Sequence, residues 1–110
     1  MNKSMIAGPC AVESAARMDA IAGAVKAAGA NILRGGAFKP RTSPYAYQGM
    51  AEDGLKMLRD VGDKYDMPVV TEVMSERSVY AVAQYADVLQ VGTRNAQNFF
   101  LLEGVARTNK

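Results

Sequence analysis

Residues 68–91, PVVTEVMSERSVYAVAQYADVLQV, hold two short β-branched or apolar runs separated by a stretch of helical periodicity. Val69, Val70 and Thr71 have the side chains that fit a pleated, buried strand, so a strand is predicted over Pro68–Glu72. Ser75 is placed as an N-cap before a helix that reaches about Tyr85. Val88-Leu89-Gln90-Val91 then supplies a second strand over Asp87–Val91. A strand, a helix and a strand in succession read as one βα unit followed by the strand of the next, the pattern of a parallel crossover.

The same grammar extends in both directions. A strand is predicted over Ser4–Gly8, followed by a helix from the Ser14 cap to Ala28. The apolar face of that helix is Met18, Ile21, Ala22, Val25 and Ala28, with Gly29 as its C′ residue. A strand over Asn31–Arg34 leads to a helix over Met50–Tyr65, where Leu55, Leu58, Val61 and Tyr65 form the buried face. Glu52 and Asp53 stand in its first turn, next to the positive end of the helix dipole. A last helix is predicted over Ala96–Ala106 with Asn95 as its cap. Four βα units account for the 110 residues as one (βα)4 domain, with no linker or low-complexity tract. Parallel strands alternating with helices leave two architectures: an open doubly wound sheet or part of a closed (β/α) barrel. Both bind ligands where the strands end.

Composition narrows the chemistry. With 13 basic and 11 acidic residues the net charge is +2, too balanced for a nucleic-acid or membrane binder defined by overall charge. One Cys allows no internal disulfide, and no apolar run approaches a membrane span or a signal segment; a cytoplasmic protein is expected. The chain has no His, so acid–base work falls to Lys, Glu, Asp, Tyr or water.

Charge is distributed unevenly. From Ala20 to Ala51 there is no Asp or Glu, while Lys26, Arg34, Lys39 and Arg41 are cationic. The turn Leu33–Tyr45, LRGGAFKPRTSPY, joins three of those cations to two glycines that let backbone amides approach a ligand. Arg94 follows the fourth strand, so Arg34, Lys39, Arg41 and Arg94 are predicted to share one rim and to take phosphate or carboxylate groups. An isolated surface arginine is usually just solvated; four converging from two strand ends are better explained by an anion. Cys10, after Gly8-Pro9, is either a metal-ligating or nucleophilic thiol or a small buried hydrophobe. Glu72 either orients a water and accepts a proton, or balances Arg34 or Arg94.

Three segments carry a family resemblance: Gly8–Ser14 (GPCAVES), Leu33–Tyr45 with its Lys-Pro-Arg-Thr core, and Gly92–Asn98 (GTRNAQN). Together they resemble 3-deoxy-D-arabino-heptulosonate 7-phosphate (DAHP) synthase over almost the whole chain. The related 3-deoxy-octulosonate 8-phosphate synthases look like Lys-Ala-Asn-Arg where this chain has Lys39-Pro40-Arg41-Thr42. The resemblance implies the first four units of a TIM-type (β/α)8 barrel. It also implies a metal-dependent condensation of phosphoenolpyruvate with erythrose 4-phosphate, the entry step of the shikimate pathway.

By the same resemblance Cys10 is one ligand of a divalent metal (Mn, Fe, Co or Zn), and Arg34, Thr93 and Arg94 hold phosphoenolpyruvate. Lys39 lies at the reacting centre, and Arg41 and Thr42 receive erythrose 4-phosphate, with Pro40 as a further substrate-binding residue; Glu72 stays a catalytic candidate from its strand-end position alone. The family's other metal ligands, a His, a Glu and an Asp, lie on later strands and have no match in this sequence. The expectation is therefore an isolated half-barrel that is inactive alone and forms a homo-oligomer through its exposed sheet edges. The competing expectations are a non-catalytic self-associating scaffold and a phosphosugar aldolase using Lys39 as a Schiff base.

Overall fold

Ser14 and Ser75 begin two of the helices as their sequence positions predict. In the computed structural model, which describes residues 3–37 and 51–110, the Ser14 hydroxyl accepts the Arg17 amide at 3.2 Å. Ser75 and Ser78 make a reciprocal capping box. The chain runs β1 (Ile6–Ala7), α1 (Ala15–Ala27), β2 (Ile32–Arg34), α2 (Ala51–Lys64), β3 (Val69–Val73), α3 (Glu76–Tyr85), β4 (Val88–Val91), a 3-10 turn (Thr93–Asn95) and α4 (Phe99–Arg107). Gly29 closes α1 with φ 104°, a conformation that favours glycine.

All three strand pairs are parallel, and the spatial order is β1-β2-β3-β4. That order decides between the two architectures. A doubly wound sheet reverses direction at a switch point and carries helices on both faces. Here every crossover steps to the next strand in the same direction, and successive helices pack side by side, α1 on α2, α2 on α3 and α3 on α4. The result is the expected (βα)4 half of a TIM-type barrel, with the sheet as inner layer and the helices as outer layer.

Alternation along each strand sorts the side chains. Leu33, Val69, Thr71 and Val73 point into the helical layer and are almost fully buried, packing with Met18, Leu55, Leu58, Val82 and Leu101. The register places Ile6, Ile32, Arg34, Val70, Glu72, Val88 and Gln90 on the opposite, barrel-facing side. Ile6 is 52% exposed and Val88 39%, so this face is apolar at its lower part yet open at both edges.

Four expectations are corrected. β1 is two residues rather than five, because Asn31 Oδ1 takes the Met5 amide at 2.5 Å before the ladder begins and Pro9 has no N–H with which to continue it. Ala28 is exposed, since it is the C-cap and lies beyond the packed turns of α1. The last helix starts at Phe99 rather than Ala96, and its cap is Asn98, whose Oδ1 accepts the Leu101 amide at 3.2 Å. Asn95 instead ends the 3-10 turn. Tyr65 and the rest of the α2 face pack as expected, Tyr65 only partly. Met50 lies outside the described residues. No helix among the described residues is long and apolar enough to cross a membrane.

The amino ends of β3 and β4 are locked by Asp87. Its Oδ2 accepts from the Val69 amide at 2.8 Å and from Arg59 Nη1 at 2.7 Å, and Arg59 Nη1 also donates to Tyr85 O at 3.1 Å. Burial pushes the Asp87 carboxyl up and is the largest single influence. The Val69 amide, the Arg59 guanidinium and the nearby Lys110 together outweigh it and hold the group below the ordinary carboxylate range. A depressed folded-state value means stability that is complete above the unfolded carboxylate value of about 4 and is lost as the pH falls through the folded value. The urea midpoint should therefore be flat from about pH 7 to 5 and fall below about pH 4. Asp87→Asn should lower the midpoint at pH 7 and flatten the acid limb, as followed by circular dichroism.

Candidate anion-binding site at the strand ends

Arg34 is the last residue of β2 and points to the barrel side, where it meets three other strand ends. Nη1 donates to the carbonyls of Pro9 (2.9 Å) and Cys10 (3.0 Å) just past β1. Nε donates to Gln90 Oε1 on β4 at 3.3 Å. Nη2 stands 3.9 Å from Glu72 Oε2 on β3. Of the five N–H donors of a guanidinium, three are committed and the two on Nη2 make no hydrogen bond among the described residues.

The electrostatics of this cluster favour an anion. Two backbone carbonyls and a side-chain amide orient Arg34 without cancelling its charge. The one carboxylate nearby sits at the outer limit of an ion pair, and both side chains keep about a quarter of their surface in solvent. A pair in that setting contributes roughly 0–1 kcal/mol. The guanidinium is therefore fixed in direction and still net positive, which suits a phosphate or carboxylate.

Backbone bonds join the loops that carry these residues. The Val12 amide donates to Gly36 O at 2.8 Å, the Gly35 amide to Val70 O at 3.2 Å, and the Ala37 amide to Thr71 Oγ1 at 3.4 Å. Gly36 lies so close to the β1 loop that a Cβ there would be 2.3 Å from the Cys10 carbonyl oxygen. Only a residue without a side chain allows the basic turn to leave β2 past Cys10.

The predicted site residues fall into three groups. Arg34, Glu72 and the Cys10 segment are brought together as expected. Thr93 and Arg94 occupy the 3-10 turn after β4, both exposed, and no hydrogen bond or ion pair of the described residues joins them to that cluster. Lys39, Pro40, Arg41 and Thr42 lie outside the described residues. Gln90 and Thr71 were missed. Gln90 had one signal in the sequence: alternation from Val88 puts it on the barrel face at a strand end, where a polar residue needs a partner. Thr71 read simply as a β-branched strand residue, although its hydroxyl is fully buried.

Cys10 is exposed at the mouth of β1. It supplies one soft donor, but the sequence has no His and the described residues contain no group of three or more His, Cys, Asp or Glu side chains that fits a metal ion. The described donors do not by themselves make a divalent-metal site.

A one-directional parallel sheet with helices on one side defines the βα units of a (β/α) barrel, and the fixed cation stands at the carboxyl edge, where such barrels bind their ligands. The chain belongs to the DAHP synthetase I family, which it matches over residues 2–110. It is 50% identical over 107 residues to a phospho-2-dehydro-3-deoxyheptonate aldolase of Thermotoga maritima, covering 97% of this chain and 32% of that protein. A 2-dehydro-3-deoxyphosphooctonate aldolase of Fusobacterium nucleatum is 35% identical over 113 residues, covering 96% and 41%. The crystal structure of the Thermotoga maritima DAHP synthase superposes with a TM-score of 0.90 at 50% identity, over 97% of this chain and 31% of that one. A truncated form of the Thermotoga maritima synthase gives 0.85 at 46% identity, over 97% and 38%. The chain thus spans about a third of the length of these relatives.

Gly36→Ala must push the Cys10 carbonyl off its place. It should cost about 1–3 kcal/mol in urea unfolding, the range for forced overpacking. A variant as stable as the parent would show that the β1 and β2 loops are not packed this closely.

Proposed function

We propose that this chain forms the phosphoenolpyruvate-binding part of a DAHP synthase, which condenses phosphoenolpyruvate with erythrose 4-phosphate and releases inorganic phosphate. The observation that carries the reading is the oriented, uncancelled charge of Arg34 at the strand ends of a chain 50% identical to a heptonate aldolase. In this reading Arg34 offers Nη2 to phosphoenolpyruvate, and Arg94, with Thr93, joins it from the turn after β4. Lys39 lies beside the reacting carbons, and Pro40, Arg41 and Thr42 receive the phosphate of the sugar. Cys10 would supply one thiolate toward a divalent metal completed by ligands other than these residues, and such a metal, when bound, would polarise the sugar aldehyde.

The bond changes balance with one water. The enol carbon of phosphoenolpyruvate attacks the aldehyde carbon, water adds to the cationic carbon so formed, and the carbon–oxygen bond to phosphate breaks. Glu72 would orient the water and take its proton. Positive charge held in advance stabilises the anions throughout, without reorganisation during the reaction. The Lys-Pro-Arg-Thr run favours erythrose 4-phosphate over the pentose phosphate of the octulosonate enzymes. A cytoplasmic location accords with a single cysteine and phosphorylated substrates.

The test is DAHP formation from the two substrates with Mn²⁺, by this chain alone and by this chain mixed with the remaining two-thirds of the Thermotoga maritima enzyme. Product is expected in the mixture, falling at least tenfold with Arg94→Ala. Product formed with arabinose 5-phosphate but not erythrose 4-phosphate, or no product in a mixture shown to associate, sinks the reading.

A second reading, a self-associating half-barrel scaffold, is favoured by the open barrel face, where Ile6 and Val88 are exposed and β1 and β4 are edge strands. Two copies pairing at these edges would bury both. Sedimentation should then show a dimer or larger species at high micromolar concentration, and a folded monomer there would remove this reading.

A further inference from the structure

We propose that Arg34 is a positioning residue for Cys10, and that Gln90 holds Arg34 in the pose that does this. The substrate role above concerns Nη2; the positioning role belongs to the other two guanidinium nitrogens. Both protons of Nη1 are spent on consecutive carbonyls, Pro9 O at 2.9 Å and Cys10 O at 3.0 Å. Consecutive peptide groups held by one planar nitrogen cannot rotate independently, so the direction in which the Cα–Cβ bond of Cys10 leaves the backbone is set from β2.

The clamp needs a third point. A guanidinium on a flexible stem turns about its terminal bonds unless a further contact fixes its plane. Gln90 supplies that contact through Nε at 3.3 Å. Glu72 is too distant to do so at 3.9 Å. Gly36 closes the remaining side, with its Cα against the same Cys10 carbonyl. The segment from Pro9 to Val12 is otherwise tied to the sheet by a single described backbone bond, Val12 N–H to Gly36 O. Its geometry thus depends on Arg34 more than on the two-residue strand before it. Lysine could keep the charge but not the fork: one ammonium cannot serve two adjacent carbonyls and an amide in a single plane.

This inference does not rest on the proposed reaction, because its test uses the ligand-free protein. Carbonyl carbons labelled at Pro9 and Cys10 report hydrogen bonding through their 13C shifts, and the chain has one cysteine, so the Cys10 signal is unique. In Arg34→Lys and in Gln90→Leu both signals should move upfield toward those of solvated peptides, and Val12 amide protection should drop at least tenfold. Gln90→Glu keeps an acceptor and should restore the parent signals. Glu72→Gln should leave them unchanged. Methyl spectra of Leu33 and Leu55 establish that each variant is folded. Unchanged Pro9 and Cys10 signals in either folded variant, or a shift in Gln90→Glu as large as in Gln90→Leu, overturn the assignment.

Discussion

Four strand ends meet at one guanidinium. β1 and β2 share a ladder of only two residue pairs, as do β2 and β3, and β1 itself is no longer than that ladder. Without a further tie the loop after β1 would be governed by a strand too short to direct it. Arg34 supplies the tie by reaching over its own strand end to the Pro9 and Cys10 carbonyls, while Gln90 and Glu72 bring β4 and β3 to the same point. The carboxyl edge is therefore organised around a cation that stays net positive, and the local charge of the site and the shape of its frame have one source.

The opposite edge is built on another principle. There Asp87 is paired with Arg59 at 2.7 Å and accepts the Val69 amide, so charge is cancelled rather than conserved. A neutralised clasp fixes the register where β3 and β4 begin; an uncancelled one serves where they end. This division matches the general asymmetry of (β/α) barrels, in which one face carries stability and the other chemistry. It follows from the topology, because parallel strands put every strand end on the same side.

The fold was legible because its signals are local. Ser14, Gly29 and Ser75 stand where caps must stand, and the valines of 69–73 and 88–91 read as strands from composition alone. What was missed depends on neighbours that the chain does not place adjacent in sequence. Asn95 and Asn98 are equally good caps in isolation; the 3-10 turn after β4 takes up the first and leaves the second to start α4. Of the site, Arg34, Cys10 and Glu72 were visible as chemically conspicuous residues at predicted strand ends. Gln90 was not, since an amide in a strand acquires meaning only from the register that sets it beside Glu72 and within reach of Arg34.

Relatives with two different names align to this chain over nearly all its length. An arginine that spends Nε and Nη1 on the protein keeps only Nη2 for a ligand, so it can orient an anionic group without measuring the rest of the molecule. If the chain takes a sugar phosphate, as proposed, discrimination by its length would have to come from other side chains. On the proposed function, that role would fall to the Lys39-Pro40-Arg41-Thr42 run.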